Sequence, residues 1–171
     1  MIRYLKLSGR FVFLIMLQVL VLNNIRLGGY INPLIYVLFV LMIPFNIKPW
    51  LLLLSGFLTG LTIDVFIGTP GLHAGATVFM SFFRQTVIRL TLGHRLPEGN
   101  LEPTLYDMGA RWFFTYTAIM VVIHHTSLFL LESFSLKQVS AIIIRTLLSS
   151  IFTVLMIIIY SFIFNRGGNK T

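Results

Sequence analysis

Three charged residues, Asp64, Arg84 and Arg145, and three histidines, His73, His124 and His125, stand inside or at the ends of long apolar stretches. A charge at membrane depth costs ~3 kcal/mol or more, so each needs a physical reason to be there. Gly56, Gly60 and Asp64 are spaced four apart, which puts them on one helix face. The Gly56-x-x-x-Gly60 pair lets a second helix approach closely, so Asp64 is expected to face protein rather than lipid. Its first reading is a structural acid that pairs with a base or caps a helix end. A ligand, proton or ion role and a contact with a partner chain are the alternatives. Arg145, Ser149 and Thr153 repeat the four-residue spacing and predict a polar stripe facing the bundle interior. Asp64 and Arg145 fall at similar depths with opposite charge, which predicts an intramembrane ion pair. Arg84 is expected to snorkel toward the nearer interface.

The histidines are not expected to form a metal site. His73 follows the Pro70-Gly71-Leu72 turn, where a single imidazole serves as a hydrogen-bonding or capping group. His124 and His125 are adjacent on a helix and point about 100° apart, a poor geometry for chelation. The chain has no cysteine, which removes disulfides, thiolate metal sites and cysteine nucleophiles together. No glycine-rich phosphate loop, hydrolytic triad motif or pair of membrane carboxylates suited to acid–base work is present. The expectation is a protein without catalytic activity, cofactor or metal.

The elements that position these residues follow from composition. Of the 171 residues, 57% are hydrophobic and 11% charged, and the mean hydropathy is +0.91. Soluble domains carry roughly a quarter charged residues, so lipid is the expected solvent for most of the surface. The net charge of +8 does not indicate nucleic acid, because the basic residues sit at the ends of apolar runs rather than on one water-facing patch. Apolar runs at 11–25, 30–45, 50–67, 72–92, 110–131 and 138–164 predict an all-α, polytopic helical bundle of about six transmembrane helices in one domain. The first run resembles a secretory signal, but Asn23, Asn24 and Arg26 follow it where a small-residue cleavage site would stand, so a retained helix is expected. With the N-terminus inside, Arg3, Lys6, Arg10, Lys48, Arg89, Arg95, Arg111, Arg166 and Lys170 fall on the inner side, and Arg26 and Lys137 on the outer. Nine against two predicts that both termini are cytoplasmic. The polar stretch 93–109, with Glu98, Glu102 and Asp107, is expected to be a solvated cytoplasmic loop open to partners.

The junction between the third and fourth runs is the most distinctive stretch. Gly60-Leu61-Thr62-Ile63-Asp64-Val65-Phe66 precedes Gly68-Thr69-Pro70-Gly71-Leu72-His73-Ala74. This resembles the bacterial rod-shape-determining protein MreD family, whose pattern is matched here by Gly60, Leu61, Asp64, Gly71, Leu72, His73 and Ala74. Length, helix number, the basic N-terminus, the polar loop after the fourth run and the histidine-bearing fifth run fit as well. The resemblance implies a multi-pass protein of the bacterial cytoplasmic (inner) membrane, a non-enzymatic part of the machinery for cell elongation and lateral peptidoglycan synthesis. It implies an MreC-like protein as partner and, through it, the MreB filament and the RodA and penicillin-binding synthases. It further implies a fold similar to the substrate-binding components of ECF-type vitamin transporters. Gly56, Gly60, Asp64, Gly71, His73 and Arg145 then read as packing or partner-contact positions, and the glycine faces also suit a homo-oligomer. The rival expectation is a substrate-binding component of a small-solute transporter. That reading requires an outward-open cavity lined by Asp64, His73, His124, His125 and Arg145, whereas a filled interior favours the scaffold.

Overall fold

The computed structural model describes residues 2–24, 31–93, 101–133 and 139–164. Helix α1 (Ile2–Met16) continues through one π turn (Leu17–Val21) and one 3₁₀ turn (Leu22–Asn24). It is followed by the five-residue helix α2 (Val37–Leu41) and then by α3 (Pro49–Ile67), α4 (Leu72–Leu92), α5 (Leu105–Met108), α6 (Ala110–Ser133) and α7 (Val139–Phe164). Among the described residues every regular element is helical. Four stretches, Leu5–Asn24, Pro49–Ile67, Ala110–Ser133 and Val139–Phe164, are long and apolar enough to cross a membrane. Helix α4 matches them in length but carries His73, Arg84 and Arg89, so its composition alone does not qualify it.

Local chemistry sets the helix ends. Pro49 opens α3 after an extended Lys48, where its missing N–H and fixed φ cost nothing. Gly68 closes α3 at φ +77°, and both Gly68 N and Thr69 N donate to Asp64 O. Gly71 precedes α4 at φ +84° with open space around its Cβ position. There it is the backbone conformation, not crowding, that calls for glycine. In sequence order α3 packs on α4, α4 on α6, and α6 on α7.

The interior combines an apolar core, with Leu38, Ile63, Met80, Phe113 and Ile157 among its members, and a set of buried polar groups, while the outside is apolar. Thr59, Asp64, Thr77, Ser81, Arg84 and Ser149 are buried. Outward, α3 exposes Leu54, Phe57 and Leu58, and α7 exposes Ile143, Leu147 and Ile151, each at 44% or more. A water-soluble domain puts its polar side chains mostly outside, whereas a helical surface in lipid has this arrangement.

The second expected helix, 30–45, is not formed as one. Only Val37–Leu41 is helical, yet residues 33–45 are all buried between the long helices. The reason is local: Pro33 removes a donor at the start, Pro44 removes one at the end, and the run between them is too short to nucleate a long helix on its own. The segment runs lengthwise through the bundle. Asn32 lies beside His125 of α6, Leu41 beside Tyr116, and Phe45 beside Trp112. From residue 125 to 112, at 1.5 Å per residue, the path covers about 20 Å.

The polar stretch 93–109, where it is described, is tied to the bundle at several points. Arg10 Nη1 lies 3.0 Å from Glu102 Oε2. Asp107 N donates to Thr104 Oγ1 at 3.1 Å to cap α5, and Phe45 N donates to Leu101 O at 3.4 Å. Glu102 is thus part-buried in an ion pair, while Asp107 is exposed. Glu98 and Arg95 lie outside the described residues, as do Arg26, the 134–138 link with Lys137 and Gln138, and the tail with Arg166 and Lys170.

Candidate functional site: an interhelical clasp and a polar interior

The α3–α4 junction brings five of the six singled-out residues together. Gly60 sits so close to α4 that an added Cβ would fall 2.5 Å from Ala74 Cα and 2.6 Å from Ala74 N. At Gly56 it would crowd the Ser81 side chain and lie 3.2 Å from Thr77 O. This is the close approach that the four-residue glycine spacing predicts. The approach places Asp64, one turn further on, directly over the start of α4. Asp64 is 2% exposed. Its Oδ1 accepts from His73 N at 3.0 Å, from His73 Nδ1–H at 3.0 Å and from Thr69 Oγ1–H, while Oδ2 accepts from Ala74 N at 2.9 Å. The first N–H groups of a helix have no partner within the helix. Here a carboxylate from the preceding helix supplies two of them, and its charge is favourable beside the positive end of the α4 dipole. Gly71 provides the left-handed turn between the two helices.

The expected Asp64–Arg145 ion pair is not formed. Arg145 Nη2 lies 3.2 Å from Glu132 Oε2, and its guanidinium sits 4.5 Å over the Phe129 ring. Asp64 is instead saturated by donors within its own turn, and α4 and α6 stand between α3 and α7 in the packing order. The rest of the α7 stripe does face inward: Ser149 and Thr153 are fully buried. Arg84 does not snorkel either. It is 0% exposed, and among the described residues no acid reaches it. Nε donates to Tyr116 Oη at 2.9 Å, and Nη2 donates to Leu41 O at 3.3 Å and to Ile43 O. These carbonyls end the one-turn helix α2, where a cation meets the negative end of the dipole.

Several other interior polar groups serve the same broken segment. Gln18, in the π turn of α1, accepts from Ile35 N at 2.8 Å and donates to Pro33 O at 3.1 Å. Ser149 accepts from Asn32 N and Thr153 from Leu34 N, each at 3.0 Å. Tyr116 donates to Leu41 O at 3.1 Å. His125 Nε2 lies 3.2 Å from Thr153 Oγ1, and Tyr36 Oη is hydrogen-bonded to His124 Nε2 at 2.9 Å. Irregular backbone at membrane depth persists only where protein satisfies its N–H and C=O groups. Side chains from α1, α4, α6 and α7 do so here. Gln18, Tyr36 and Tyr116 had no place among the sequence candidates. Gln18 carries a signal that could have found it, a lone amide within an apolar run, since such an amide seeks a partner across helices.

One cavity of about 300 Å³ opens at the end of the bundle where α1, α3 and α6 finish and α4 begins. His73 and Glu132 line it, but Asp64, His124, His125 and Arg145 do not. Both adjacent histidines are 0% exposed, and among the described residues no group of three potential metal ligands occurs. No family model, curated protein or solved structure matches the chain.

Proposed function

We propose that the chain is a non-enzymatic component of the bacterial cell-elongation machinery, an MreD-like inner-membrane protein that acts by binding partners. The observation that carries this reading is the clasp. Gly60, Asp64, Gly71, His73 and Ala74, the residues that resemble the MreD pattern, converge within one α3–α4 junction and there have a joint structural task. In this reading the chain crosses the membrane six times with both termini cytoplasmic. Four crossings are the long apolar helices, the fifth is α4, whose His73, Thr77, Ser81 and Arg84 are buried, and the sixth is the broken segment 31–45. The partners are an MreC-like protein and, through it, the MreB filament and the RodA and penicillin-binding synthases.

The transporter reading needs five polar residues around one open cavity. Of these only His73 lines it, while Asp64, His124 and His125 are consumed by internal contacts. The engagement of these side chains in internal contacts supports the scaffold. The test is to purify the tagged chain from its own membranes in mild detergent and identify the proteins that accompany it. MreC-like and cell-wall synthase partners support the reading. Recovery of ATPase subunits with an energy-coupling membrane protein would replace it with transport.

A further inference from the structure

The cavity at the α1–α3–α6 end is a built site and not a packing fault. Its volume of about 300 Å³ is at the lower limit of small-molecule pockets, ~300–1,000 Å³. Its polar lining is Gln18, Asn23, Asn32, Thr69, His73 and Glu132. Two of these are fixed from behind. His73 has Nδ1 held by Asp64 at 3.0 Å, which leaves Nε2 as the ring's remaining polar atom. Gln18 is held by Asn23 Oδ1 at 2.8 Å, Pro33 O and Ile35 N. Such locking from behind is what keeps a binding group in one geometry.

Other lining groups remain open. Asn32 is exposed, and among the described residues its contacts with Ser149 and His125 are through the backbone. Glu132 gives one carboxylate oxygen to Arg145 and is 45% exposed. Leu22, Leu128 and Phe129 supply apolar wall between the polar groups. Among the described residues the lining holds one carboxylate and no lysine or arginine. Among the described residues the nearest cation, Arg145, is already paired with Glu132, so an anion meets no free side-chain cation, whereas a hydrogen-bond donor meets the second Glu132 oxygen, the Asn32 carbonyl and His73.

We propose that this cavity binds a small neutral or cationic organic solute that donates hydrogen bonds, of roughly ten non-hydrogen atoms at about one water volume (30 Å³) each. The inference does not depend on a role in cell elongation. A ligand bound where α1, α3, α4 and α6 meet would bias how those helices pack, with or without transport.

Three probes that share a ring and differ in charge test it on the full chain in detergent: tyramine, 4-hydroxyphenylacetamide and 4-hydroxyphenylacetate. Binding is measured by calorimetric titration after matched dialysis. The expected result is saturable binding of the amine and the amide, with the acid weaker by about tenfold or more, the size of one charge-assisted hydrogen bond. Glu132→Gln should weaken tyramine by about the same factor and leave the amide unchanged. Asn32→Trp should remove both by filling the space. Glu132 is half exposed and its replacement leaves the fold intact, so the result stands even if the tryptophan variant cannot be purified. Absence of saturable binding by all three probes overturns the proposal, as does equal binding of all three, or binding insensitive to both substitutions.

Discussion

Removing the Asp64 carboxylate should loosen the start of α4 more than any other single polar deletion in the bundle. Asp64→Ala strips acceptors from His73 N, Ala74 N, Thr69 Oγ1 and His73 Nδ1. The two side-chain donors can turn elsewhere, because Thr69 Oγ1 and His73 Nδ1 are 3.2 Å apart and can satisfy each other. The two backbone N–H groups cannot turn, and each buried and unpaired donor costs ~1–3 kcal/mol. With partial relaxation the loss is about 3–4 kcal/mol, above the ~1 kcal/mol of an ordinary surface cap. Asp64→Asn keeps one oxygen but turns an N–H₂ toward one of the backbone donors, so about half the loss, ~1.5–2 kcal/mol, is expected. Equilibrium unfolding in mixed micelles measures both, with a His73→Ala variant to close the thermodynamic cycle on the side-chain pair. Asp64→Ala within ~0.5 kcal/mol of the parent chain, a range typical of exposed sites, would refute the cap. So would an Asn variant less stable than the Ala variant.

Gly60→Ala should destabilise strongly, because its Cβ meets the Ala74 backbone, whereas Gly75→Ala should be mild, since its Cβ meets only Leu131 Cδ1 at 3.3 Å; thermal unfolding of the pair separates them. Gln18→Leu leaves Ile35 N and Pro33 O without partners at once, and a loss of about 2–4 kcal/mol is expected from the same unfolding assay. Arg84→Leu orphans the Ile43 carbonyl and should cost ~2–3 kcal/mol, and Arg84→Lys should recover part of it; limited proteolysis near residue 43 reads the freed segment. Arg145→Glu should be rescued by Glu132→Arg and not by Asp64→Arg, with a coupling of at most about 0.5 kcal/mol because both side chains are partly exposed.

The long helices were legible because apolar length and glycine or proline punctuation are local properties. Runs beginning near Trp50, Leu72 and Ala110 were expected within a few residues of where α3, α4 and α6 lie. The glycine face was legible for the same reason, since Gly56, Gly60 and Asp64 share one helix and their spacing is a fact of one strand of sequence. Partners across helices were not. Asp64 was assigned to Arg145 by depth and sign, but depth does not say which helices touch, and the nearer donors of α4 prevailed. Arg84 was read as snorkelling because hydropathy contains no carbonyl groups; its partners are backbone atoms of a segment whose irregularity no periodicity announces. The second run was read as a helix because composition alone does not distinguish a buried helix from buried coil, although Pro33 and Pro44 at its two ends mark the difference in retrospect.

The broken segment also constrains how the chain can be made. Its amides at Asn32 and Leu34 are met by hydroxyls 117 and 119 residues later, on Ser149 and Thr153. A ribosome therefore delivers the donors of an early element long before their acceptors exist. Until α7 emerges, this stretch has no finished place in hydrocarbon and must wait in water, at the interface or in the care of an insertion factor. Assembly of this protein cannot be a simple succession of independent helices. A nascent chain arrested before residue 139 would hold segment 31–45 with both of those amides unmet.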